Sequence, residues 1–147
     1  MTNIFLADYE SRLQSWAKLR FDLYDKPLDK ICLEVDQFWQ RVPTQQHYLH
    51  TDFIKDWPNP WQLLSDNTYC YYARALGMIY TLLLLGNRNI DLVDAVDDNS
   101  NEVVLVLVDN AKYVLNYWPD TAVNNCISDF AITRQHDITP LYSKIGR

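Results

Sequence analysis

Glycine is scarce, with three in a chain of 147 residues. Phosphate cradles need several glycines to bring backbone N–H groups against a nucleotide, and neither GxGxxG nor GxxxxGK occurs. GxSxG and HExxH are absent too, which removes the common serine-hydrolase and zinc-protease signatures. Cysteine is equally thin. Cys32, Cys70 and Cys126 are an odd count at wide spacing, which makes neither a disulfide framework nor a CxxC zinc site. Basic charge is short: thirteen Lys and Arg against nineteen Asp and Glu leave a net charge of −6. Displacing counterions from nucleic acid calls for a basic stripe, and none is visible, so direct nucleic-acid binding and docking on an anionic membrane are not expected. Long apolar runs are missing as well. LGMIYTLLLLG covers only about a dozen residues, short of the roughly 18 that a spanning helix needs. MTNIFLADYESRL lacks the basic region and long apolar run of a secretion signal. A soluble cytoplasmic protein without cofactor or bound metal is the expectation.

What is present is a globular composition, 48% hydrophobic and 22% charged, rich in aromatics. Ala7 to Tyr24 carries Tyr9, Leu13, Trp16, Leu19 and Leu23 at helical steps, with Glu10, Arg12, Lys18 and Asp22 on the polar side. Pro27 to Val42 repeats the pattern with Leu28, Ile31, Cys32, Val35 and Trp39, so the two predict an antiparallel helix pair over 1–43. Cys32 lies inside the apolar stripe and reads as a packed thiol. Thr44 to Asp56 has no clear period; His47 and His50 within it read as surface loop rather than metal ligands.

From Trp57 to Leu85 runs the stretch that organises the chain. Asn59-Pro60 predicts an N-cap with proline at N1. Ser65-Asp66-Asn67-Thr68 offers caps for a second helix, apolar nearly all round, which implies deep burial. Gly77 inside that helix predicts close approach by another element, and Gly86 closes it. After Gly86 the period changes to that of strands. Ile90 to Val96 alternates, EVVLVLV (102–108) suits a strand covered on both faces, and Lys112 to Trp118 is its hairpin partner across Asp109-Asn110-Ala111. Asp91, Asp94, Asp97 and Asp98 lack calcium-loop spacing and read as solvated turn carboxylates. Phe130 to Thr133 is a further short strand, within an irregular segment over 119–147 whose tail from Pro140 is expected to be partly mobile. The expectation is one α+β domain over 1–147, its small antiparallel sheet packed on a buried central helix.

Chemistry concentrates on Cys70. A cysteine in the first turn of a helix meets unpaired N–H groups and a positive dipole end, which favour thiolate. DNTYCYYARALGMIYTL followed by EVVLVLVDNAKYVLNYWPD resembles the cysteine-helix and β-hairpin core of the transglutaminase-like superfamily, in layout rather than strict motif, over roughly 57–120. The resemblance implies Cys70 as nucleophile and Asp120 as the acid. The family's histidine opens the first hairpin strand, whereas here Asn101, Glu102 and Val103 occupy that region and no histidine falls between His50 and His136. Without that imidazole the usual mechanism lacks its general acid and base, so the resemblance implies a degenerate scaffold. His136 supplies the ring only if its segment folds back over Cys70, with Asp137 or Asp120 orienting it. A His in such a polar stretch is more often solvated.

The small, acidic, Trp- and Tyr-rich texture, with WPNPWQLL before YCYYARALGMIYTL, also resembles small proteins of tailed bacteriophages. That likeness implies a virion, assembly or host-interaction role, in the virion or the host cytoplasm. The leading expectation is therefore a non-enzymatic protein that binds a protein partner through its aromatic loop from His47 to Trp61, with Tyr48, Phe53, Trp57 and Trp61 as anchors. Two alternatives stand beside it. One is a cysteine-dependent amidase, peptidase or acyltransferase using Cys70 and His136. The other is an acidic ligand mimic, which requires the carboxylates from Asp91 to Glu102 on one exposed face.

Overall fold

The computed structural model describes residues 3–44, 49–117 and 129–146. The helices are α1 (Tyr9–Leu23), α2 (Leu28–Trp39), α3 (Pro60–Asp66) and α4 (Tyr71–Leu84). The strands are β1 (Ile90–Val96), β2 (Glu102–Val108), β3 (Tyr113–Leu115) and β4 (Ala131–His136). Short 3-10 segments lie at Ile4–Leu6, Thr51–Asp56 and Thr139–Gly146. The architecture is α+β.

Local chemistry explains where the helices begin and end. The Asp8 carboxylate accepts the Ser11 N–H and opens α1. Asn59 and Gln62 satisfy each other's backbone N–H groups in a full capping box, with Pro60 at N1 of α3 as the sequence predicts. Asn67, left-handed at φ 50°, ends α3, and its side-chain amide donates to the Phe5 carbonyl. Arg12 departs from expectation. Its period placed it on the polar face of α1, but it is buried, and its guanidinium donates to Leu64 O, Ser65 O and Ala7 O. A cation that satisfies carbonyls in the last turn of α3 outweighs its hydration there.

α4 is the centre of the molecule. Ala73 to Leu83 are all buried, including Arg74 and Thr81. Gly77 is where α2 meets it: a Cβ on Gly77 would overlap the six-membered ring of Trp39. The indole N–H groups of Trp16 and Trp39 both donate to Thr81 Oγ1 at 2.9 Å, and that hydroxyl donates to Gly77 O at 2.7 Å. One hydroxyl thus locks α1 and α2 onto α4, with both buried indoles satisfied.

The sheet is antiparallel in the order β3-β2-β1-β4. Ile90, Leu92, Val106, Val108 and Leu115 join the helical core, while Val93, Ala95, Leu105, Leu107 and Val114 form a second cluster on the opposite face. β2 is therefore covered on both sides, as its continuous β-branched run predicts. The third strand stops earlier than expected. Asn116 turns left-handed at φ 73° and breaks the ladder after Leu115. The last strand begins at Ala131 and extends to His136, beyond the Thr133 limit read from the sequence. Thr139–Gly146 winds into a 3-10 segment anchored by fully buried Leu141.

Candidate functional site

The candidate cysteine sits one step before the helix. Cys70 is the N-cap of α4, in extended conformation at φ −115°, and its side chain makes no capping hydrogen bond. It is 5% exposed, closed in beside Tyr69 and Tyr72. The cap position would let a thiolate accept the first free N–H groups of α4, but no such bond forms, so the contacts that the thiolate argument needs are not made.

His136 is not a solvated tail residue. It lies on β4 opposite Leu92, with its side chain 1% exposed, and Nε2 stands 3.0 Å from Asp94 Oδ2. The approach is out of line for a hydrogen bond, and the ring is held there by packing rather than by a directed bond. The other oxygen of Asp94 accepts the Tyr72 hydroxyl at 2.7 Å, and the Tyr72 and His136 rings meet edge to face at 5.9 Å. Burial pushes the Tyr72 phenol well above its usual range; Asp94 pushes the same way, and Cys70 adds to it. Asp94 therefore takes the place offered by sequence to Asp137 or Asp120. Asp137 instead accepts the Thr139 N–H and hydroxyl, and Asp120 lies outside the described residues. Among the described residues the Cys70 thiol has no hydrogen bond to His136 or to any other group.

The carboxylates expected to be solvated divide. Asp94 shares the strand parity of Ile90 and Leu92 and points toward the helices, whereas Asp91 shares that of Val93 and accepts from Gln135 on the other face. Asp97 folds into its own turn, accepting from Asn99, Asn101 and Tyr117. Asp91 to Glu102 thus present no single acidic face.

The aromatic anchors separate in the same way. Trp57 is 3% exposed; its ring lies against Tyr72 at 6.0 Å and its indole donates to His50 O. Trp61 packs edge to face on Trp16 at 6.2 Å. Phe53 alone of the three is solvent-facing, at 56%, on the kinked 3-10 segment Thr51–Asp56. Tyr48 lies outside the described residues. Next to Phe53, Asp52 reaches Arg134 of β4 at 3.9 Å. A shallow groove of about 360 Å3 is lined by Leu49, Asp56, Pro58, Gln62 and Asp66 and does not include Cys70 or His136.

A second buried polar network ties α2, α4 and the end of β3 together. Asp36 Oδ1 accepts the Asn116 N–H at 2.8 Å, Oδ2 accepts the Gln40 amide, and Arg74 Nε donates to Asn116 Oδ1. The Asn116 amide donates onward to Val104 O and Tyr71 O. Desolvation pushes the Asp36 carboxyl up to about 6, opposed by the Asn116 N–H, Gln40 and Arg74. Cys32 is the packed thiol the sequence predicts, pushed up to about 12, chiefly by burial.

Sequence reasoning missed Asp36, Arg74 and Asn116, and read Asp94 as a solvated turn carboxylate, whereas it lies against Tyr72 and His136. A signal for Asp94 existed: it continues the inward parity of Ile90 and Leu92. Among the described residues no three His, Cys, Asp or Glu side chains are placed to hold a metal ion, and no helix is long and apolar enough to cross a membrane. The chain matches no protein-family model and no curated protein.

Proposed function

We propose that this is a non-catalytic protein-interaction module, serving assembly or host contact in the manner of the small phage proteins it resembles. The helix-then-hairpin order of its scaffold is that of a transglutaminase-like core without the chemistry. The observation that carries this reading is a contrast: the Cys70 thiol is closed in without an imidazole bonded to it, while Phe53 stands out on the surface. A nucleophile that neither reaches solvent nor meets a base has no route to substrate. An aromatic ring left over half exposed is the kind of group that anchors a partner.

One observation favours the cysteine-dependent alternative, namely Asp94 held 3.0 Å from His136 Nε2 near the start of α4. That reading still requires Cys70 and the imidazole to meet. The test places a photo-crosslinking amino acid at position 53 and, as a control, at exposed Lys30 of α2. Capture of one defined partner from 53 but not from 30, competed away by unlabelled protein but not by unlabelled Phe53→Ala protein, supports the proposal. Equal capture from both positions, or a hydrolytic turnover abolished by Cys70→Ala, overturns it.

A further inference from the structure

The strand beside Phe53 is exposed to a degree that its neighbours are not. β4 closes the sheet at one edge, and Ala131 to Gln135 are all exposed although the strand keeps its ladder to β1. Among the described residues no backbone bond links β4 to anything except β1. Outward N–H and C=O groups along an edge strand are a template for an added strand. Natural edges are often closed with proline or lysine, and AITRQH has neither.

We infer that the outer edge of β4 takes an added strand from a partner protein, an extended segment that presents a carboxylate to Arg134 and an apolar side chain beside Ile132. The register sets this pattern. Arg134 pairs with Asp94 and faces the helical side, next to Asp52 and Phe53; Ile132, 49% exposed, pairs with Ala95 across the bulge and faces the other side. An added strand alternates its side chains between these two faces. Arg134 is 56% exposed, and its contact with Asp52 at 3.9 Å lies beyond hydrogen-bond reach, which leaves its donor fork open to a carboxylate. A second copy fits less well. Two chains at −6 repel each other, and antiparallel β4 pairing would bring their Arg134 side chains onto one short edge.

This inference rests on the interaction reading above and specifies how the partner binds. The probes are Thr/Val-alternating peptides of one length with a central Glu, a central Lys or a central Pro, added to the full chain. Amide exchange and NMR shifts are followed along β4. The Glu peptide is expected to slow exchange of outward amides within Ala131–Gln135 at least tenfold and to bind about tenfold more tightly than the Lys peptide. The Pro peptide is expected to leave β4 unchanged, and Arg134→Glu to reverse the Glu-over-Lys preference. Peptide-induced changes that spare β4, or none at millimolar peptide, overturn the inference while leaving crosslinking from position 53 as the separate test of the interaction reading. Protection of β4 that rises with protein concentration and tracks a dimer mass assigns the edge to a second copy and overturns it as well.

Discussion

Asp36 on α2 holds the end of β3 through one bond, its Oδ1 accepting the Asn116 N–H at 2.8 Å where both residues are buried. The carboxyl is pushed from 3.8 up to about 6, first by desolvation. A raised carboxyl keeps a proton in the folded state that the unfolded chain gives up. Stability therefore falls as pH rises from about 4 to about 6 and levels off above, by roughly 3 kcal/mol for a shift of about two units. Asp36→Asn keeps the acceptor for Asn116, and turning the Gln40 amide would give its unpartnered Oε1 a donor. Urea unfolding from pH 4 to 7.5 should show the slope in the parent minus variant difference. A difference that is flat across that window would remove the assignment. Asp8, Asp97 and Asp137, whose carboxyls are held low, slope the other way, and cancel in that difference.

Gly77 inverts the usual helix rule. Glycine to alanine in a helix interior ordinarily stabilises by about 1 kcal/mol. Here the new Cβ would come far inside van der Waals contact with the Trp39 ring, and that ring cannot swing away without breaking its bond to Thr81. Gly77→Ala should destabilise by about 1–3 kcal/mol, a fall in Tm of several degrees by calorimetry. Combining it with Trp39→Leu should cost less than the two single changes together. Strict additivity would mean that Gly77 is there for another reason.

Much of this architecture is local and so was legible. The stripe of α2, the capping box at Asn59-Pro60, the all-round apolar α4 and the run of β2 each follow from short-range period or turn chemistry. What stayed hidden depends on distant partners. Arg12 reads as surface until the carbonyls of Leu64 and Ser65 arrive. Asp94 and His136 come together only through the β1–β4 ladder, and β4 carries no alternation because an edge strand exposed on both faces has no burial to impose one. The site reading failed at Trp57 for a related reason. A tryptophan next to a turn looks like a surface anchor until Tyr72 and the His50 carbonyl claim its ring and its N–H.

Asp109, Asn110 and Ala111 form a left-handed run at φ 58°, 56° and 65° between β2 and β3. Asp and Asn tolerate that region, but alanine has no polar side chain to offset the clash of its Cβ with the carbonyl. Ala111→Gly relieves it and loses part of the gain to the greater freedom of the unfolded chain. The expected net is a stabilisation of about 0.5–1 kcal/mol in denaturant unfolding. A loss would show that the Ala111 methyl, which packs against the second apolar cluster, outweighs its backbone strain.

Cys70 decides between scaffold and enzyme, and its environment makes a kinetic prediction. The thiol is 5% exposed, caps no helix N–H and has no imidazole bonded to it among the described residues. Alkylation then has to wait for local opening. With Cys126 replaced by Ser, iodoacetamide at pH 7 should leave Cys70 and Cys32 largely unmodified over the minutes in which the urea-unfolded chain reacts fully. His136→Asn should lower stability without changing that protection. It removes the ring that packs against Tyr72 and Asp94, not a base that serves a nucleophile. Rapid stoichiometric labelling of native Cys70, slowed by His136→Asn, would mean that thiol and imidazole meet in solution. The interaction reading would then give way to cysteine catalysis with Asp94 as the residue that orients the ring.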